Sequence, residues 1–466
     1  MPCPPFTTPN SLTASAHLDH TDSPLETQAD STSWIPLSMG LMNPLGMLSR
    51  FHACNLFKKA GLPLLSLILL AHVSANLFFF LIIDPSEVTA NYLLGVGRAD
   101  CTGPVAEVPL MGYANPEQVG SGLLMRLYSR AFIVADLDDS RRVVFVSADI
   151  GMVSQRLRLE VLKKLKSKYG ELYRQDNVIL SGTHTHSGPG GYFQYTLFWI
   201  TGKGLIRPSL NAIVNGIVKS IDIAHQNMKR GRLFINRGTV ENSQINRSPF
   251  SYLENPASER SRYSSNTDKE MVMLKMVDEN GQELGLISWF AVHPVSMNNT
   301  NHLVNSDNVG YASYLFEQEK NKGMLPGEVR VLPSHFRNAK MCMAMGPGND
   351  MFDSTRIIGQ NIYLKARELY EKAYQEVTGP LSSAHQWVNM SDVSVELNAT
   401  HTVKTCKPAL GYSFAAGTID GVGAFNFTQG NLGSRCQYGF IQMGRTWGIP
   451  QIDSNPQRHL RTSTAR

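Results

Sequence analysis

The sequence predicts an α/β fold built on a mixed sheet, and three observations carry the prediction. Arg142 to Ile150 includes Val-Val-Phe-Val-Ser-Ala-Asp-Ile, a near-continuous apolar run of the kind found in a strand buried on both faces. From Ser154 to Tyr169 apolar residues recur at helical spacing, at Leu157, Leu159, Val161, Leu162 and Leu165, and Asn177–Ser181 reads as the next strand. That is a strand–helix–strand unit. Met271–Val277 and Leu284–Val292 flank Asp278-Glu279-Asn280-Gly281, an Asn-Gly turn signal that makes them an antiparallel hairpin.

The remaining elements follow in chain order. Residues 1–60 are rich in Ser, Thr, Pro and Asp without any period and read as a disordered extension. Residues 61–84 hold the uncharged run Leu62–Ile83, preceded by Lys58 and Lys59 and long enough to span a bilayer. It reads as a signal anchor, or as a cleaved signal peptide behind an over-long start. Met39, Met42 and Met47 are alternative initiators, and Val73-Ser74-Ala75 has the small residues of a cleavage site. A core helix is the weaker reading, because Pro63, His72 and Asn76 fit a core poorly.

The folded region is expected to begin near Glu87. Gly95-Val96-Gly97-Arg98-Ala99-Asp100-Cys101-Thr102-Gly103-Pro104 has glycines but no following helix, so it reads as a tight turn rather than a phosphate loop. After Pro208 an amphipathic helix places Leu210, Ile213, Val214, Ile217 and Ile221 on one stripe. Asp307-Asn308 reads as the cap of a helix starting near Tyr311. A long helix is expected from Asp353 to about Val377, stopped by Gly379-Pro380.

Composition narrows the function classes. The 466 residues are 42% apolar and 17% charged, which is globular, and the length calls for more than one structural unit. The net charge of +5 is small for that length and the basic residues are scattered, which argues against nucleic-acid binding. Lys163-Lys164-Leu165-Lys166-Ser167-Lys168 is the densest basic cluster and reads as a solvated helix face. Six cysteines without a Cys-x-x-Cys pair argue against a structural zinc knuckle. Five Asn-x-Ser/Thr sequons begin at Asn246, Asn298, Asn389, Asn398 and Asn426 and give weak support for a secretory route.

The chemistry concentrates in Ser181-Gly182-Thr183-His184-Thr185-His186-Ser187-Gly188-Pro189-Gly190-Gly191. A strand ending in His-x-His puts both imidazoles on one face. Ala291-Val292-His293-Pro294 ends a second apolar strand in another histidine. Asp149 and the histidine pair both fall at carboxyl ends of strands, where open α/β sheets bind ligands. Three such histidines suit zinc; the bland reading is that two of them are turn or core residues bonded to carbonyls. Arg247, in Asn246-Arg247-Ser248-Pro249, is either an oxyanion or carboxylate partner or an ordinary surface residue.

These segments resemble the neutral ceramidases, the plant enzymes most closely. The resemblance rests on Gly95–Asp100, Met111-Gly112-Tyr113-Ala114, Thr183–Gly191, Asn246-Arg247-Ser248, Trp289–His293, Ser413-Phe414-Ala415-Ala416-Gly417-Thr418 and Gly421, and it runs from about Tyr92 to about Gln429. It implies a zinc-dependent amidase that cleaves ceramide into sphingosine and a fatty acid. It implies one zinc per chain, with His184 and His293 as ligands and His186 and Arg247 as catalytic residues. It implies residues 87–430 as the N-terminal catalytic domain, ceramide and a membrane lipid surface as partners, no nucleic acid, and the secretory pathway as location, membrane-associated or secreted. Oligomeric state is not implied.

The sequence departs from the family in two places. The family's Gly-Asp-Val-Ser-Pro-Asn phrase, with its assigned serine nucleophile, should fall between Gly323 and Gly346. Met324–Phe336 has no match to it, and the role does not pass to Ser334. Residues 431–466 form a divergent tail. The family's two further zinc ligands, a glutamate and a tyrosine, and its C-terminal β-sandwich are expected to be missing. The resemblance therefore leaves two readings: a ceramidase whose truncated chain has an incomplete zinc site, or an inactive, membrane-associated ceramidase-like glycoprotein. A zinc hydrolase for some soluble amide is a more distant third.

Overall fold

The computed structural model describes residues 90–323, 332–336, 346–390 and 393–405. The hydrophobic run at 61–84, the stretches 324–331 and 337–345, the Ser413–Thr418 match, the tail and five of the six cysteines lie outside the described residues.

In chain order the strands begin with β1 (Tyr92–Asp100), β2 (Ala106–Met111), β3 (Val119–Leu123), β4 (Tyr128–Ala135) and β5 (Arg142–Ala148). They continue with β6 (Val178–Gly182), β7 (Gly188–Pro189), β8 (Lys229–Thr239), β9 (Glu270–Asp278), β10 (Glu283–Phe290) and β11 (Leu303–Val304). The last are β12 (Leu332–Phe336), β13 (Gln375–Val377), β14 (Ser394–Asn398) and β15 (His401–Lys404). The helices are α1 (Gln155–Tyr169), α2 (Thr196–Thr201), α3 (Arg207–Gln226), α4 (Pro249–Leu253), α5 (Ala257–Arg260), α6 (Asp307–Lys320) and α7 (Met351–Glu371).

Among the described residues the main sheet has nine strands, in the order β12-β10-β9-β8-β1-β4-β5-β6, with β13 also on β8. The sheet is mixed. The β5–β6 and β10–β12 pairs are parallel; the other pairs are antiparallel. The predicted strand–helix–strand unit is β5–α1–β6, and the predicted hairpin is β9–β10. A smaller sheet runs β11-β3-β2-β7.

Side-chain alternation explains why the strands read as continuous apolar runs. Ala131, Ile133, Val144, Val146 and Ala148 face the α1–α3 layer, with Leu157, Val161, Leu165, Ile213, Ile217 and Ile221 packed against them. On the other side, Met271, Met273, Leu286 and Phe290 face α6 and α7. The alternate residues Phe132, Leu233, Met276 and Ile287 share a third core with Phe145 and Trp289. Phe145 of β5 lies 6.0 Å from Trp289 of β10, ring centre to ring centre. Five strand spacings separate β5 from β10 in the sheet order, about 24 Å if the sheet were flat. The sheet is therefore curled over this inner core, and the curl brings the ends of β6 and β10 together.

Three expectations are corrected. Gly95–Asp100 is strand, not turn: it pairs residue for residue with β4. Its glycines serve helix packing, because a Cβ on Gly95 would lie 2.2 Å from the Ala224 carbonyl oxygen, and one on Gly97 would lie 2.2 Å from that of Ser220. The long helix spans Met351–Glu371 instead of Asp353 to Val377, capped by Asp350, whose carboxylate accepts from the Asp353 N–H at 2.7 Å. It stops early because Gln375–Val377 pairs with β8, which helical periodicity does not register. Asp307 and Asn308 lie inside the first turn of α6 rather than ahead of it. The predicted stripe of α3 and the exposed lysines of α1 are as expected.

Candidate metal centre

Strand β6 ends at Gly182. Beyond it, the Thr183 N–H donates to the Ala148 carbonyl at 2.8 Å and the His184 N–H to that of Ile150 at 2.9 Å. His184 then takes φ of +71°, a left-handed conformation that costs a residue with a side chain on the order of 1–3 kcal/mol. The two histidines thus meet through a left-handed turn, not through strand alternation as expected. His184 Nδ1 lies 2.6 Å from the Gly151 carbonyl oxygen, which can only accept. Nδ1 is therefore the donor, and the Nε2 lone pair is directed to the other side of the ring, as in a ligating histidine.

His186, 1% exposed, is the middle member of the cluster. Its Nε2 lies 3.3 Å from His184 Nε2 and 3.1 Å from His293 Nε2. His293 follows β10, whose last residue is Phe290. All three ligand atoms lie within 4.8 Å of one another. Nitrogens bound tetrahedrally to zinc at about 2.0–2.1 Å stand roughly 3.3 Å apart, so two of the spacings already fit an ion. The remaining pair, His184 and His293, have rings nearly parallel at 5.3 Å and need only draw together. Three convergent imidazoles suit zinc or another divalent transition metal.

Residues that sequence reasoning passed over shape this cluster. Tyr113 sets its ring edge-on to His186 at 4.7 Å, and its hydroxyl donates to the carbonyls of Met297 (2.9 Å) and Val295 (3.3 Å). It therefore touches one histidine and fastens the loop of another. Gly112 has φ of +139°, and a Cβ there would fall 2.4 Å from Cγ of His186. The Met111–Ala114 phrase was visible in the sequence, but nothing in it named a partner.

Three of the four predicted site residues therefore form one cluster. The fourth, Arg247, is half-buried in the loop between β8 and α4. Gln244 of that loop donates from Nε2 to the carbonyls of Ala291 (2.5 Å) and Asp268 (2.6 Å). This fastens the Arg247 loop two residues before His293. Asp149 does not join the histidines but belongs to a buried ion network. It accepts from the Tyr128 N–H at 3.0 Å and from Arg130 at 2.9 Å. Arg130 also pairs with Glu317, which pairs with Arg98 at 3.1 Å. Burial opposes the Arg130 charge, but Asp149 and Glu317 outweigh it and raise the guanidinium pKa.

Comparison with known proteins places this geometry. The family model described as neutral/alkaline non-lysosomal ceramidase, N-terminal, matches residues 92–337 and 331–446. The chain is 41% identical over 396 residues to the neutral ceramidase of Drosophila melanogaster, covering 76% of this chain and 56% of that protein. It is 36% identical over 444 residues to neutral ceramidase 2 of Arabidopsis thaliana, covering 76% and 58%. The chain thus spans little more than half the length of these relatives. The crystal structure of neutral ceramidase from Pseudomonas aeruginosa superposes with a TM-score of 0.64 at 38% identity, covering 69% of this chain and 52% of that one. With the family model covering most of the sequence, and a solved ceramidase sharing the fold that brings the three histidines together, this chain belongs to the neutral/alkaline non-lysosomal ceramidase family.

Proposed function

We propose that the chain is a zinc-dependent amidohydrolase that cleaves the N-acyl bond of ceramide to give sphingosine and a fatty acid. The observation that carries the reading is the convergence of three imidazole nitrogens from two strand ends more than a hundred residues apart, in a chain of this family. His184 and His293 would hold the ion, His184 through Nε2, since Nδ1 is engaged by the Gly151 carbonyl. Bound there, zinc supplies Lewis acidity towards an amide carbonyl and lowers the pKa of water.

The chain's own residues supply the rest. His186 Nε2 stands 3.1–3.3 Å from both partner nitrogens. In this reading it takes a proton from the attacking water and returns it to the sphingosine nitrogen, as a general base and then acid. Arg247, on the loop fastened to Ala291, balances the negative charge that develops on the carbonyl oxygen. The substrate is a membrane lipid, so the reading puts the chain at a membrane surface in the secretory pathway. The uncharged run Leu62–Ile83 supports that location.

The test uses the purified chain. Stoichiometric zinc and release of sphingosine from ceramide are expected, with both lost in His184→Ala. A folded wild-type chain that takes up no zinc and turns over no ceramide would overturn the proposal.

A further inference from the structure

The segment Asn301-His302-Leu303-Val304-Asn305-Ser306-Asp307-Asn308 lies far in sequence from the His184–His186 phrase, yet it bonds to both halves of the histidine cluster. On the side of the phrase, the Thr185 hydroxyl donates to the Asn305 carbonyl at 2.8 Å, and the Asn305 N–H donates to the Ser187 carbonyl at 3.1 Å. Asn301 Nδ2 adds a bond to Ser187 Oγ at 2.9 Å. On the side of His293, Asn308 Nδ2 donates to the His293 carbonyl at 3.2 Å and to Ser296 Oγ at 2.8 Å. The Asp307 carboxylate accepts from the N–H groups of Ser296 (3.1 Å) and Met297 (3.0 Å). Thr185, Ser187, Asn301, Asn305, Asp307 and Asn308 are all buried.

Two features separate this segment from an ordinary loop. Asp307 sits at φ of +56°, a conformation costly to any residue with a side chain, and there its carboxylate spans two backbone donors. The segment is also continuous with regular structure at both ends of its run. Leu303–Val304 pairs with β3, and Asp307–Lys320 is α6, which is held at Glu317 by the Arg130–Arg98 network. A bond network of this kind fixes ligand orientation without touching the ion, and such outer partners govern metal affinity.

We propose that Asn301–Asn308 is a clamp, with Asn308, Asp307 and Asn305 as positioning residues that hold His293 against His184 and His186. The inference rests on the reading that these histidines bind a metal. Its consequence is that metal affinity depends on residues that contact neither the ion nor the substrate.

Cobalt(II) titration of the metal-free, full-length chain tests it, because visible absorption reports both affinity and ligand geometry. The variants are Asn308→Ala on the His293 side and Thr185→Val on the other. Thr185→Val removes a hydroxyl at nearly constant shape. Each is expected to weaken cobalt binding roughly 10- to 100-fold and to change the intensity of the absorption bands. Ser220→Ala, which removes a buried hydroxyl bonded to Ser129 at 2.8 Å in the opposite helix layer, is expected to lower stability and leave the cobalt spectrum unchanged. Should Asn308→Ala fail to fold, Thr185→Val decides. Wild-type affinity and spectrum in the folded clamp variants, or equal losses in Ser220→Ala, would overturn the clamp. Failure of the wild-type chain to bind cobalt at all would instead remove the metal reading beneath it.

Discussion

Gly112→Ala isolates the contact between the backbone and the central histidine. Two costs follow from the local geometry. The residue would hold φ of +139° with a side chain attached, a strain on the order of 1–3 kcal/mol. Its Cβ would lie 2.4 Å from His186 Cγ, whereas ordinary contact begins at 3.4 Å, so the ring must retreat by about 1 Å. Metal–ligand distances tolerate roughly 0.2 Å, and a 1 Å displacement of a catalytic group costs on the order of 100-fold in rate. The assay is paired: zinc retention against a graded chelator series, and sphingosine release from a fluorescent ceramide. A folded variant should turn over at least tenfold more slowly. If His186 is also a ligand, zinc affinity should fall by a similar factor; if it only moves protons, zinc should be retained. Wild-type turnover and zinc affinity together would refute the reasoning, because the ring would then have accommodated a contact that the geometry forbids.

Two further predictions concern the frame around the centre. Arg130→Ala leaves Asp149 in the interior without its guanidinium partner, while Glu317 keeps Arg98, and is expected to cost about 3–5 kcal/mol in urea unfolding; a loss below about 1 kcal/mol would mean that water or a neighbour takes over the Asp149 charge. Asp307 should give stability an unusual pH slope. Burial raises its carboxyl from 3.8 to about 7, against the opposing pull of the Asn308, Met297 and Ser296 N–H groups. Between about pH 4 and 7 the folded chain would keep a proton that the unfolded chain has lost, so this group's contribution to stability falls as pH rises, by about 1.4 kcal/mol per unit and on the order of 4 kcal/mol in all. Asp307→Asn should flatten that decline, and parallel profiles for the two proteins from pH 4 to 7 would show that the carboxyl is not raised.

How much of this was legible in the sequence depended on whether the signal was local. The β5–α1–β6 unit, the β9–β10 hairpin and the buried stripe of α3 were readable because period and turn chemistry are properties of short windows. His184, His186 and His293 were readable because each stands in a distinctive phrase at the end of an apolar run. What failed depended on distant partners. Gly95 and Gly97 looked like turn residues because the helix that needs their missing side chains arrives more than a hundred residues later. Asp307 and Asn308 looked like caps because their role is defined by Ser296, Met297 and His293, which the helix pattern does not contain. Asp149 was placed with the histidine pair at the carboxyl ends of strands, yet its side chain is engaged by Arg130 and the Tyr128 N–H instead.

The same distinction bears on what holds the centre together. The His184–His186 pair is a local feature and would exist in any chain that folds the phrase onto β6. The third imidazole arrives only because the sheet curls, and the curl is fixed by apolar packing of Phe145, Phe132 and Trp289 on its inner face. The inner core and the clamp therefore act on the same variable, the separation of the β6 and β10 ends. A ligand that binds only the closed arrangement stabilises it by RT ln(1 + [L]/Kd), about 2.7 kcal/mol at a hundredfold excess over Kd. That is as much as burying one large apolar side chain, so an ion bridging these histidines would contribute to the closed sheet on the same scale as the residues that curl it.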